Sequence, residues 1–246
     1  MRRTVLPYLL CLLCQPALAD TAMVRQLHEL DSHSRLLCAS ALLYFDPRER
    51  SPDPRSLTAV YHHLNTLETD VLQLGQPADL AQPLGAMQRI FTELDGLPRS
   101  ASRRYPELIA RLLEQRQQLG EAVEQDLAEA GSRAPAFGAQ SRDLASLLLD
   151  YQLRHYLLPQ KAPWLLPAER LNQLDADIEQ RFDQLQAQYQ AQAAALGKIR
   201  GSYRFVRRQL QQGGSGGEGN GGAEFYLSRA VLDLDDLAQV VEQGVP

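Results

Sequence analysis

Apolar residues return at alternating steps of three and four along most of the chain. Leu57, Val60, Leu64, Leu67, Val71 and Leu74 make the clearest run. Such a seam is the buried stripe of an amphipathic helix packed in a bundle. A second run is Leu144, Leu148, Tyr151, His155 and Leu158, and a third is Leu171, Leu174, Ile178, Phe182, Leu185 and Tyr189. Val231, Leu234, Ala238 and Val241 form a fourth. No stretch sustains two-residue alternation, and the good helix formers Leu, Ala, Gln, Arg and Glu dominate. The pattern predicts an all-α protein.

Turn residues divide the pattern into helices. Asp46-Pro47 through Pro54 closes the first, Gly75-Gln76-Pro77 the second and Gly96-Leu97-Pro98 the third. Pro106 suits the first turn of the fourth, which stops at Gly131-Ser132. The segment from 132 to 140 reads as a linker by composition, and Pro159 to Pro167 is a further break that holds Trp164, a plug for the end of a bundle. The seam from Leu185 through Leu196, Ile199, Tyr203 and Val206 to Leu210 keeps its phase without a gap. By itself it describes one helix of about 45 residues. Gly197 and Gly201 weaken that reading, and a turn between Gln190 and Gly197 is the preferred one.

The second half of the chain echoes the first. Ser34-Arg35, Leu37 and Tyr44 lie on Ser141-Arg142, Leu144 and Tyr151; Leu57, Val60 and Leu64 lie on Leu171, Leu174 and Ile178. Leu80, Met87, Ile90 and Leu94 lie on Leu196, Tyr203, Val206 and Leu210, and Val123-Glu124-Gln125 on Val241-Glu242-Gln243. The offset only grows, and it grows at turns. The expected organisation is two tandem up-down four-helix bundles, 20–131 and 141–246, related by internal duplication. The run "GGSGGEGNGG" (213–222) then occupies the third-to-fourth helix connection of the second copy, as a disordered glycine-rich loop. Its matches to GxGxxG follow from composition alone, because no strand precedes it.

The first nineteen residues carry Arg2-Arg3, an apolar run and Ala17-Leu18-Ala19 before Asp20. They read as a cleavable secretory signal peptide. No later stretch has the length and apolarity to span a bilayer. Arginine outnumbers lysine 23 to 2; with such a leader this points to a Gram-negative periplasm. The net charge of −5 offers no bulk attraction for nucleic acid. Cleavage would leave Cys38 as the sole cysteine, in an apolar helix and without a disulfide partner.

Catalytic and metal chemistry finds no support in the sequence. "HELDSH" sets His28 and His33 five residues apart, about 140° around a helix, too far apart to share one ion. His62-His63 reads as solvated surface, and His155 as a core histidine. The arginines of "YRFVRR" fall on the flanks of their helix and read as a solvated face. No nucleophile–base pair, cofactor fingerprint or metal set is assembled. The candidate binding residues are Arg35 and Arg142, which open apolar helices and would hold a small anion, with Tyr44 and Tyr151 on the same two helices. Alternatively the two arginines pair with Asp31 and Asp143.

The order of an SRxL opening (Ser34-Arg35-Leu36-Leu37 and Ser141-Arg142-Asp143-Leu144), a heptad helix, "YRFVRRQL" and "FYLSRAVLDLDDLAQVVEQ" resembles the periplasmic four-helix sensor domain of type IV pilus methyl-accepting chemotaxis transducers. The resemblance implies a helical sensory or ligand-binding module; the lack of an assembled nucleophile, base or metal set makes a non-enzyme the expectation. Without a transmembrane helix it would act through a membrane receptor or another envelope protein. The alternative is a structural or assembly adaptor of a cell-envelope complex.

Overall fold

The computed structural model describes residues 6–130, 136–160, 162–212 and 220–243, with side chains throughout except at 6–21, 212, 220 and 221. Among these residues there are eight α-helices and no strand. They are α1 (Leu6–Tyr44), α2 (Pro54–Gln73), α3 (Ala78–Gly96), α4 (Tyr105–Glu129), α5 (Ala136–His155), α6 (Ala168–Gln188), α7 (Ala193–Gln212) and α8 (Asn220–Glu242). No helix of the described residues is long and apolar enough to cross a membrane.

The helix limits have local causes. Asp53 caps α2, its carboxylate accepting from the Arg55 N–H at 2.9 Å, and Pro54 opens the first turn. At the other end Gly75 and Gln76 take positive φ of 84° and 56°. The Gln76 N–H then closes back on the Val71 carbonyl at 2.9 Å, a left-handed exit that glycine permits. The continuous seam beyond Leu185 is not one helix. Tyr189 leaves the helical region (φ −113°, ψ 69°), one tight turn spans Gln190–Gln192, and α7 runs back along α6. Asp175 and Glu179 of α6 bind Arg207, Arg204 and Arg200 of α7, at 2.5 to 2.9 Å. Of the arginines expected on a solvated face, Arg204 and Arg208 are exposed, and Arg204 and Arg207 also pair with carboxylates of the neighbouring helix.

Two expected boundaries shift. Helix α5 starts at Ala136, so 136–140 are helical rather than linker, with Phe137, Ala139 and Gln140 buried. Helix α8 starts at Asn220, so the last three positions of the expected 213–222 loop are its first turn. Residues 131–135 and 213–219 lie outside the described residues. So do 1–5, while the rest of the expected signal peptide, with the Ala19–Asp20 junction, falls inside the span of α1.

The helices pair in the same order in each half: first with second, first with fourth, third with fourth. The halves also share one hydrophobic core. Helix α1 lies against α5 as well as against α2, α4 and α8. Between Leu27 and Leu42 every residue except Arg35 is buried, and between Ala139 and Leu153 only Arg142 and Ser146 are not. A helix apolar or enclosed all round belongs at the centre of a protein. Helices α1 and α5 run parallel: Gly138 meets His28 near one end, and the Tyr156 hydroxyl donates to the Phe45 carbonyl at 3.1 Å near the other. Helix α8 runs antiparallel to α1, through Arg25–Glu242, His33–Asp235 and Ser40–Glu224.

At Gly138 the central pair is packed too closely for a side chain. A Cβ there would stand 2.6 Å from Cγ and 2.7 Å from Cβ of His28, where no flexible end can move aside. Gly138→Ala should therefore lower the urea midpoint, by an overpacking cost of about 1–3 kcal/mol, with little change in the slope of the transition.

Candidate functional site

Helices α1, α2 and α8 leave an open polar cleft of about 470 Å3 between them. Arg25 and Glu29 line it from α1; His62, Asn65, Thr66, Thr69, Asp70 and Gln73 from α2; Gln239 and Glu242, with Gln243 beyond the helix end, from α8. The α2 residues repeat at three- and four-residue spacing and so share one helix face. It is the face next to the Val60–Leu64–Leu67–Val71 seam. Thr66 and Thr69 donate their hydroxyl hydrogens one turn back, to the carbonyls of His62 and Asn65. Arg25 bridges the two walls, donating to Glu29 at 2.6 Å and to Glu242 at 2.9 Å.

Asp70 forms the floor. It is 5% exposed, and its Oδ2 has no hydrogen-bond partner. Burial, and then the charge of Glu29, push its carboxyl up to about 7. Glu29 is also raised, chiefly by burial, although Arg25 opposes the shift.

Beneath the floor lies a chain of buried polar groups. His63 Nδ1 meets His33 Nδ1 at 3.1 Å, His33 Nε2 faces Asp235 at 3.4 Å, and Ser141 Oγ donates to the other oxygen of Asp235 at 2.7 Å. Burial opposes a charge on His33, but pairing with Asp235, backed by the charges of Asp70 and Glu29, holds its pKa above the ordinary value. Burial, with His33 beside it, drives His63 well below. The consistent assignment is a protonated His33 that donates to a neutral His63 and forms an ion pair with Asp235, whose Oδ2 stands 3.4 Å from Nε2 without a hydrogen bond. His63 is 1% exposed, not solvated; only His62 of the pair reaches the surface. The link escapes a pattern reading because His33 and His63 come from different helices.

The order of groups in this chain matters chemically. Asp235 stands between Ser141 and His33, so the group next to the hydroxyl is a carboxylate and not an imidazole, and Ser141 is wholly buried. A nucleophile–base pair requires the base next to the nucleophile. Cys38 is also buried, its thiol pushed up to about 12 by burial. Among the described residues no group of three or more His, Cys, Asp or Glu is placed to hold a metal ion. His28, buried against α5, has neither ring nitrogen bonded, and burial, with Arg142 nearby, lowers its pKa to about 4.

The sequence candidates do not converge on one place. Arg35 pairs with Asp31 at 2.8 Å and lies beside Arg116, Asp150 and Trp164. Trp164 is half-buried against the core there. Arg142 stands 3.7 Å from Asp143, whose carboxylate is bound more closely by Arg181, at 2.7 Å. Tyr44 is a half-buried ring under the guanidinium of Arg99, 4.4 Å from its centroid. Tyr151 is buried, accepts from Gln209 at 2.8 Å and packs on His155. None of the four lines the cleft. Its residues are polar positions on helices predicted from their apolar faces, and nothing in the spacing of Arg25, Asp70 and Glu242 relates them.

No protein-family model, curated protein or solved structure matches the chain.

The titrations set a pH dependence. Asp70 and His33 bind protons more tightly when folded, so their contribution is fullest at low pH. That of Asp70 declines from about pH 4 to about 7, and that of His33 is lost as the pH rises above its ordinary value. His28 and His63 bind their protons less tightly when folded, so their contributions fall as the pH drops below about 6.5, that of His28 down to about 4; together they outweigh Asp70 in that range. Thermal stability should peak near pH 6. Asp70→Asn should melt above the parent at pH 8, by about 2–4 °C for each kcal/mol recovered, and match it more closely at pH 5. Melting curves across that range check both.

Proposed function

We propose that this protein is a non-catalytic, sensor-like binding protein of the periplasm, exported by the leader at 1–19. Its cleft between α1, α2 and α8 takes a small polar ligand. The observation that carries this reading is the buried, unpartnered Oδ2 of Asp70 on the floor of an open polar cleft. An unmet buried acceptor costs about 1–3 kcal/mol, which a donor on a ligand would recover.

The repeated helix pairing supports descent of the two halves from one four-helix unit, with α1 and α5 as equivalents. The cleft then has a consequence for signalling. Helices α1 and α2 belong to the first half and α8 to the second, so a ligand held by all three would favour one relative placement of the halves. A membrane receptor or envelope protein that contacts both would read that placement. This is the role implied by the resemblance to pilus chemotaxis sensor domains.

Phe205 and Phe225 favour a second reading, as an adaptor within an envelope complex. They are 71% and 58% exposed and pack on Tyr226 from either side. Exposed aromatic rings grouped in this way are a feature of contact surfaces.

A thermal-shift screen of small polar compounds, charged and neutral, against the parent and Thr66→Trp separates the readings. Thr66→Trp fills the cleft from the half-exposed face of α2 and should fold normally. Saturating ligand should raise the melting temperature of the parent by several degrees and leave that of the variant unmoved. Equal shifts in both proteins would place binding elsewhere, and no shift with any compound would leave the adaptor reading.

A further inference from the structure

We infer that the ligand of the cleft is an organic cation, a compact amine carrying two ammonium groups, and that it enters in exchange for the proton of Asp70. The inference rests on the cleft being a binding site and adds the class of its ligand.

Charge is the first ground. With its carboxylates ionised the cleft holds Glu29, Asp70 and Glu242 against the single guanidinium of Arg25. Arg25 is already committed to both glutamates. His33, below the floor, is attracted to Asp70 as well, but Asp235 stands 3.4 Å from it and offsets its charge, so the pair adds nothing to the balance of the cleft. Of the remaining imidazoles near Asp70, His63 and His62 are both shifted toward the neutral form, His63 well below its ordinary range. Two negative charges are therefore left without a partner when all three carboxylates ionise, and a dication matches them.

Hydrogen bonding is the second and independent ground. Asp70 Oδ2 is a buried acceptor with no donor. Thr66 and Thr69 spend their hydroxyl hydrogens on backbone carbonyls, so toward the cleft their oxygens have only lone pairs to offer. The floor and the adjacent wall of α2 thus want N–H donors. An anion or a bare hydrocarbon would leave those acceptors unmet, whereas an ammonium carries three donors and the missing charge together.

The empty protein meets the same imbalance with a proton. Burial and the charge of Glu29 keep Asp70 protonated about half the time near pH 7. A ligand ammonium at Oδ2 favours the ionised carboxylate and so releases that proton to solvent. No bond is made or broken in the ligand. While the amines stay protonated, affinity must rise with pH through this range, roughly tenfold from pH 6 to pH 8 as Asp70 passes from mostly protonated to mostly ionised.

The test uses three four-carbon probes of equal length: 1,4-diaminobutane, 1,4-butanediol and succinate. Binding is measured by isothermal titration calorimetry on the mature chain, at pH 6, 7 and 8, in buffers of different ionisation enthalpy. The diamine should bind, release close to one proton per ligand at pH 6, and tighten about tenfold by pH 8. The diol and succinate should not bind. Asp70→Asn, which keeps the shape of the floor and removes its charge, should weaken the diamine by tenfold or more and abolish the pH dependence. Glu242→Gln at the cleft rim should weaken it less and keep the pH dependence. Saturable binding of the diol or succinate without the diamine would overturn the cation assignment and leave the cleft as a binding site. Diamine binding indifferent to pH and to Asp70→Asn would overturn both the proton exchange and the place of binding. If none of the probes bind, the cation assignment also falls, and the wider screen on Thr66→Trp decides separately whether the cleft binds anything.

Discussion

The structure depends on burying α1 on nearly every side between Leu27 and Leu42, although that stretch is not apolar on every side. From His28 to Ser40 the helix carries His28, Glu29, Asp31, Ser32, His33, Ser34 and Ser40, all buried. A polar group taken from water costs free energy unless another group replaces the solvent. The helix can answer part of that need itself: Ser32 and Ser34 donate to its own carbonyls, and Arg35 reaches Asp31 one turn away. For His33 and Ser40 it cannot. Their partners come from other elements and settle where those elements lie.

Helix α8 is placed by that demand. Glu224, Asp235 and Glu242 recur about once every three turns or less along its length, and they meet Ser40, His33 and Arg25 in reverse order along α1. Asp235 also accepts from Ser141 of α5, which ties α8 to both central helices. Apolar burial drives these helices together. The polar pairs choose the register and direction, since a slip of one turn would strand several charges at once. The cleft is a product of the same arrangement. Arg25 and Glu29 of α1 there meet polar residues of α2 and α8 across the cleft.

The outer hairpin of α6 and α7 works by different physics. Its ion pairs are more exposed, and Glu179, held down to about 2 by Arg204 and Arg200, serves several arginines at once. Such pairs contribute modestly in water and weaken with salt. What they supply is a zip between two helices that share only a narrow apolar seam. The arginine-rich run that looked solvated is thus explained by partners 21 to 32 residues earlier in the chain.

Much was legible from the sequence because its causes are local. Helical class, the limits at Asp53-Pro54, Gly75-Gln76 and Pro106, the apolar seams and the buried, unpaired Cys38 all follow from spacing, turn chemistry and composition. The break at Tyr189 was readable only as a preference, since the seam keeps its phase through it; packing of α7 on α6 decides it. The start of α5 was misread because Gly138 looks like linker composition, whereas in the fold it leaves the room that His28 of the other central helix occupies. His63 looked like surface because its partner His33 lies thirty residues away on another helix. Arg35 and Arg142 were chosen for being charged in apolar surroundings, and each has a carboxylate close by. Asp70 carried no mark, because an aspartate on the polar side of an amphipathic helix is ordinary until α1 and α8 close over it. Periodicity and turn chemistry therefore determined the elements and their apolar faces. Which polar residues become buried, and which of them lack a partner, was decided only in three dimensions, because desolvation depends on neighbours brought together from distant parts of the chain.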